Sequence, residues 1–188
     1  SSEVHNPMSP GGRVGAKAGL ADLSGLEDGA GFEMIDGNEF NADKAYKDSK
    51  LCNILFGKEL SKRLKKKKLS IPVIAWAPGL VISRDSKGFF RYSRQYNKLG
   101  QLFFAFLARD LLKISTSNEI AGILLSQLVS SSKYNKQGFN YYSNKIISPG
   151  KYVFNSTNVS VEAQSEILSD KLWELSKSIV DKKNRDIF

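Results

Sequence analysis

Ala45-Tyr46-Lys47-Asp48-Ser49-Lys50-Leu51-Cys52-Asn53 begins a helical pattern, and Ile71-Pro72-Val73-Ile74-Ala75-Trp76-Ala77 follows it and stops at Pro78-Gly79. Between them Leu51, Ile54, Leu55, Leu60 and Leu64 recur at roughly helical spacing, which predicts a helix from near Asp43 to the lysine run ending at Lys68. The short, β-branched segment 71–77 then reads as a buried strand. A long helix feeding a short buried strand is the second half of a βαβ unit, so the expected class is α/β with a parallel sheet.

Outward from this core the signals thin. Residues 1–43 are rich in Gly, Pro, Asp and Ser, lack sustained periodicity, and read as a long loop with short helical turns. After Gly79 comes a basic, aromatic stretch with Phe89, Phe90, Tyr92, Tyr96, Phe103, Phe104 and Phe106. Thr116-x-x-Glu119 reads as a capping box before a helix with Ile120, Leu124, Leu125 and Leu128. Gly138 to Ser143 reads as a short aromatic strand. A last helix is expected over about 161–180, with Leu168, Leu172, Leu175 and Ile179 on one face.

Composition narrows the function classes. The 188 residues carry a net charge of +9 and 41% hydrophobic residues, ordinary for one globular domain. Residues 1–45 hold three Lys/Arg against eight Asp/Glu, so that segment is at −5 and the remainder at +14. The densest run, Lys62-Arg63-Leu64-Lys65-Lys66-Lys67-Lys68, sits where a helix ends and cations suit its dipole. No nucleic-acid motif accompanies the charge, so no nucleic acid is expected as a partner. One cysteine, Cys52, and one histidine cannot build a disulfide framework or an ordinary Cys/His zinc cage, so no metal is expected. No apolar run approaches a membrane span.

Chemistry points to Tyr46 and Lys50. Residues four apart on a helix share a face, about 6 Å apart along the axis. A unit charge there favours tyrosinate over phenol by on the order of 2–3 kcal/mol at an effective dielectric near 20. Such a pair suits reduction of a double bond by hydride, with the tyrosine supplying the proton.

The order Tyr46-x-x-x-Lys50, long helix, strand, Pro78-Gly79 resembles the short-chain dehydrogenase/reductase family. Within it, the wording around Tyr46, His5-Asn6-Pro7, Ala21-Asp22-Leu23-Ser24-Gly25-Leu26, Met34-Ile35-Asp36-Gly37 and Leu172-Trp173-Glu174-Leu175-Ser176 is similar to the light-dependent protochlorophyllide reductases. The resemblance makes Tyr46 the proton donor, Lys50 also the holder of the nicotinamide ribose, and Pro78, Gly79 and Ser83 contacts of the nicotinamide. It makes Ser2 the catalytic serine and places Cys52 near the pigment. Ser2 lies 44 positions before Tyr46, a spacing that matches the long insertion of that family.

The resemblance further implies a Rossmann-like doubly wound parallel sheet, with residues 1–43 as the family insertion and 44–188 as the catalytic half of one domain. It implies NADPH as cofactor, protochlorophyllide as substrate, and light-driven reduction to chlorophyllide in chlorophyll biosynthesis. The setting would be a plastid, or the cytoplasm or thylakoid periphery of a cyanobacterium, with peripheral membrane contact and self-association as partners' modes. No strand and glycine fingerprint precedes Ser2, so the first cofactor-binding βαβ units are expected to be missing and the 188 residues alone inactive. The region 80–160 departs most: Ser115 stands where the family has a tyrosine, and Tyr141 and Tyr142 stand for paired tryptophans. Two other readings remain, a short-chain reductase of a retinoid or similar hydrophobic carbonyl, and a non-enzymatic basic scaffold.

Overall fold

A computed structural model describes residues 2–27, 31–83 and 95–185. Its contacts divide the chain into two units, one of residues 1–76, 137–141 and 157–188, the other of 77–136 and 142–156.

The first unit is organised by helix α3 (Ala42–Lys66), preceded by a 3-10 turn (Glu3–His5) and two one-turn helices, α1 (Pro10–Arg13) and α2 (Ser24–Glu27). Asn41 caps α3 by accepting from the Lys44 amide at 2.9 Å. Of the expected apolar stripe, Leu51, Ile54 and Leu55 are fully enclosed, while Leu60 and Leu64 are half-buried. The closing helix α6 (Glu166–Arg185) packs along α3. It starts later than the expected 161, because a 3-10 turn, Glu162–Gln164, comes first. Leu172 is buried, with Leu168, Leu175 and Ile179 partly covered, as the periodicity predicts.

The two helices are also tied by charge. Arg63 donates to Glu59 at 2.8 Å, Asp170 at 3.2 Å and Glu174 at 2.7 Å, and its guanidinium lies 4.7 Å from the Trp173 ring centre. Trp173 in turn stacks on Phe56 at 5.1 Å. Part of the basic run is therefore an interhelical fastening, while Lys65–Lys68 are exposed.

Strand β1 (Val73–Ala77) occupies the predicted position but is not the buried strand expected, since only Ala77 is enclosed and Val73 to Trp76 are half-buried; Val73 donates to the Gly138 carbonyl at 3.0 Å. Strand β2 (Phe139–Ser148) runs well beyond the expected Ser143. The strands are ordered β1-β2-β3, with β1 and β2 parallel. The α/β class is thus observed, and parallel strands joined through helices are the βαβ arrangement. The hairpin strand β3 (Lys151–Ser156) pairs antiparallel with β2, for example Asn144 with Phe154. An antiparallel edge on a parallel sheet is common in such folds.

The second unit holds helix α4 (Lys98–Ala105), continuing as a π-helical turn Phe106–Leu111, and helix α5 (Asn118–Ser130). The capping residue of α5 is Ser117, whose Oγ accepts from the Ile120 amide at 3.3 Å. This corrects the Thr116 capping box. Thr116 is extended, its amide donating to Leu80 at 2.8 Å and its carbonyl accepting from Ile82 at 3.3 Å. Tyr134, Tyr142 and Phe154 form the aromatic cluster of this unit, with ring centres 5.1–5.9 Å apart. Phe89, Phe90 and Tyr92 lie outside the described residues, whereas Tyr96, Phe103, Phe104 and Phe106 are exposed rather than core. Among the described residues no helix is long and apolar enough to cross a membrane.

Candidate active site

Tyr46 and Lys50 stand on one face of α3, one turn apart, and the Lys50 ammonium lies 4.9 Å from the centre of the Tyr46 ring. That is within cation–π range, so the helix delivers the pairing that the spacing predicts. Both side chains are half-buried.

The residues between and before them perform a different task. Lys47 is buried and its ammonium donates to the Ala16 carbonyl at 2.6 Å, to Asp43 at 3.0 Å, and to the Val14 carbonyl. Asp43 also accepts from the Ala16 amide at 2.8 Å. One turn over, Lys44 donates to Asp48 at 2.6 Å, to Asp36 at 2.9 Å, and to the Gly19 carbonyl. Asp48 accepts from the Gly19 amide at 2.9 Å. Four charged side chains at the start of α3 thus hold residues 14–19 by their backbone. Burial works against the Lys44 charge, but Asp36 and Asp48 outweigh it and hold its pKa above the ordinary lysine value. Gly15, at φ +69, lets the loop turn over Lys47; a β-carbon there would collide with the Asp43 carboxylate.

These four residues were absent from the sequence-based site. Two interleaved opposite-charge pairs at i,i+4, Asp43 with Lys47 and Lys44 with Asp48, are the signal that could have found them.

Cys52 is half-buried on α3. Burial, and then the Asp48 carboxylate, push its thiol up to about 12. It is therefore a protonated thiol near neutral pH, a weaker acid than an ordinary cysteine and not a thiolate nucleophile. Ser2 is extended, and its hydroxyl caps no helix.

Pro78, Gly79 and Ser83 belong to the second unit. Asn144 donates from Nδ2 to the Pro78 carbonyl at 3.2 Å. Gly79 has φ +86, and a β-carbon on it would meet the Asn144 carbonyl oxygen at 3.0 Å, so glycine is required twice over. Ser83 accepts at Oγ from Asn118 Nδ2 at 3.0 Å, which anchors it to the first turn of α5. Of the departures in wording, Tyr141 and Tyr142 are enclosed and Ser115 is half-buried. The Ser115 carbonyl accepts from the Tyr152 hydroxyl at 2.6 Å, and Tyr141 and Tyr142 are buried on β2. Among the described residues no cluster of His, Cys, Asp and Glu could hold a metal ion.

No family model matches the chain. Curated relatives do. Protochlorophyllide reductase B of Oryza sativa subsp. japonica is 35% identical over 185 residues, covering 93% of this chain and 42% of its own length. The Hordeum vulgare protochlorophyllide reductase B is 35% identical over 179 residues, with 90% and 41% covered. The Chlamydomonas reinhardtii protochlorophyllide reductase is 32% identical over 171 residues, with 90% and 40% covered. The chain spans about two fifths of the length of the curated relatives it matches. With the Tyr46–Lys50 pair in place on α3, these 188 residues are similar over nearly their whole length to a portion of the protochlorophyllide reductases.

Proposed function

We propose that these residues serve a light-driven, NADPH-dependent reduction of protochlorophyllide to chlorophyllide, in a plastid, as the catalytic half of a Rossmann-like reductase. The observation that carries this reading is the Lys50 ammonium seated 4.9 Å from the Tyr46 ring. The pair sets a cation beside the hydroxyl-bearing ring that would give up the proton. Residues 1–43 act as the family insertion, and through residues 14–19 they brace the turn of α3 that carries Tyr46.

By the resemblance, Pro78, Gly79 and Ser83 would contact the nicotinamide of the cofactor and Lys50 its ribose. The Pro78-Gly79 turn is fixed by Asn144, whose side chain holds the Pro78 carbonyl and whose own carbonyl fills the space beside Gly79. Lys50, on α3, offers an ammonium for the ribose hydroxyls, and Ser83 lies further along the loop that begins at Pro78-Gly79. NADPH, when bound, supplies the hydride, and the pigment itself absorbs the light. Tyr46 supplies the proton at its hydroxyl, with Cys52 as a second protonated group on the same helix. Ser2 is the third hydroxyl of the site. The exposed Leu99, Leu102, Phe103 and Phe106 of α4 and its π turn support contact with a flat apolar partner, pigment first and membrane surface second.

The test uses the complete gene product with NADPH and protochlorophyllide under illumination. Tyr46→Phe keeps the ring and removes the hydroxyl, and should lower turnover by about a hundredfold or more. Unchanged turnover in Tyr46→Phe overturns the proton-donor role. Reduction of retinal in darkness, with no spectral response to the pigment, overturns the substrate.

A further inference from the structure

His5 is the single histidine of the chain, and at 1% exposure it is enclosed in the first unit. A buried imidazole is costly unless both ring nitrogens are satisfied. Here both are. Nδ1 lies 2.6 Å from the Ser2 carbonyl oxygen, and Nε2 lies 3.4 Å from the Ser160 amide nitrogen. A carbonyl can only accept and an amide can only donate. The two partners therefore demand the same tautomer, with the proton on Nδ1 and a bare Nε2.

The ring is held in this pose from its side by Tyr141, edge-on at 5.2 Å and 90°. Its far anchor is itself rigid, since Ser160 Oγ accepts from the Ala163 amide at 3.3 Å. The near end is more telling. The Ser2 carbonyl accepts from His5 twice, from Nδ1 and from the His5 amide at 3.4 Å. Fixing that oxygen fixes ψ of Ser2, and with it the direction in which the Ser2 side chain leaves the turn. The same Glu3–His5 turn packs on α3, the helix that carries Tyr46.

We propose that His5 is a positioning residue: a neutral imidazole, protonated on Nδ1, that sets the orientation of Ser2 by clamping its carbonyl to the Ser160 loop. The proposal rests on the reading of Ser2 as the catalytic serine. A hydrophobic residue of similar volume could fill the space but could not hold a carbonyl and an amide at opposite ends.

Two measurements test it. In the 15N-labelled 188-residue chain the lone imidazole needs no assignment. At neutral pH it should show a protonated Nδ1 and a bare Nε2; the opposite tautomer, or a freely exchanging mixture, overturns the proposal. In the complete gene product, His5→Asn keeps a donor in place of Nδ1, whereas His5→Gln keeps an acceptor in place of Nε2. Both should lower the melting temperature by similar amounts. His5→Asn should hold kcat within about threefold and His5→Gln should lose about tenfold or more, the scale expected when a reacting group is misplaced. Equal losses that follow the melting temperatures make His5 merely structural and overturn the proposal. Tyr46→Phe is assayed alongside: if it turns over like wild type, the reductase reading falls and the positioning role falls with it, while the tautomer measurement still reports the imidazole.

Discussion

Lys47 places its ammonium 2.6 Å from the carbonyl oxygen of Ala16, across 31 residues of sequence, and so joins the proposed catalytic helix to the glycine-rich segment before it. Tyr46 and Lys50 face one way from α3, and Lys47 faces another. The stretch of helix that presents the proposed proton-transfer pair on one side carries attachment on the other.

Removing that attachment should be measurable without any substrate. Lys47→Met retains the length of the side chain but leaves the carbonyls of Val14 and Ala16 without their donor. The expected loss is about 1–3 kcal/mol of stability, the cost of stripping hydrogen bonds from a buried group. Hydrogen exchange should rise at residues 14–19 and remain slow in the middle of α3. Unchanged exchange in the loop would mean that Lys47 does not hold it.

Cys52 should behave as an inert thiol in the folded protein. Its pKa is raised from 9.0 to about 12, so at pH 8 iodoacetamide should modify it on the order of 100-fold more slowly than in the unfolded chain. The sign for stability follows from the same shift. The fold prefers the protonated thiol, so the contribution is complete below about pH 9 and is lost as pH rises from there toward 12. Melting temperatures that rise over this interval would contradict the burial of the thiol.

Acid acts through His5. Burial lowers its pKa below 6.5, so the unfolded chain takes up the proton first. The stabilisation is present above about pH 6.5 and is lost as pH falls below it, ahead of the carboxylates. Thermal melts between about pH 7.5 and 5 should show this decline in the wild type and a flatter profile in His5→Asn, since no other histidine titrates there. A wild-type profile already flat over that range would show that the ring takes a proton without loss.

The periodic elements were legible because burial repeats at the helix or strand period. Leu51, Ile54 and Leu55 marked α3, Leu172 and its neighbours marked α6, and the β-branched run at 73–77 marked β1. The start of α5 was misread by one residue, since Thr116 and Ser117 are both cap formers and only tertiary pairing with Leu80 and Ile82 decides between them. The Tyr46–Lys50 pair was legible because its geometry is local. The loop attachments of Lys47 and Lys44 and the Ser160 end of His5 were not, since those partners are backbone groups 25 to 155 residues away that carry no letter in the sequence. Asn144, which pins Pro78, was hidden for the same reason.

Residues 14–19 are held through carbonyls and amides, and this has a consequence for how the segment tolerates change. Val14, Ala16 and Gly19 lend α3 their main chain, and the side chains of Val14 and Ala16 take no part in these bonds. Substitutions at Val14 or Ala16 that allow the same backbone path should be absorbed without loss. Inserting or deleting one residue between Val14 and Gly19 should instead throw the two lysines and two aspartates out of register together. At Val14 and Ala16 the segment is free in spelling, and throughout it is strict in length, unlike a packed core, where a methylene matters and a distant loop can grow.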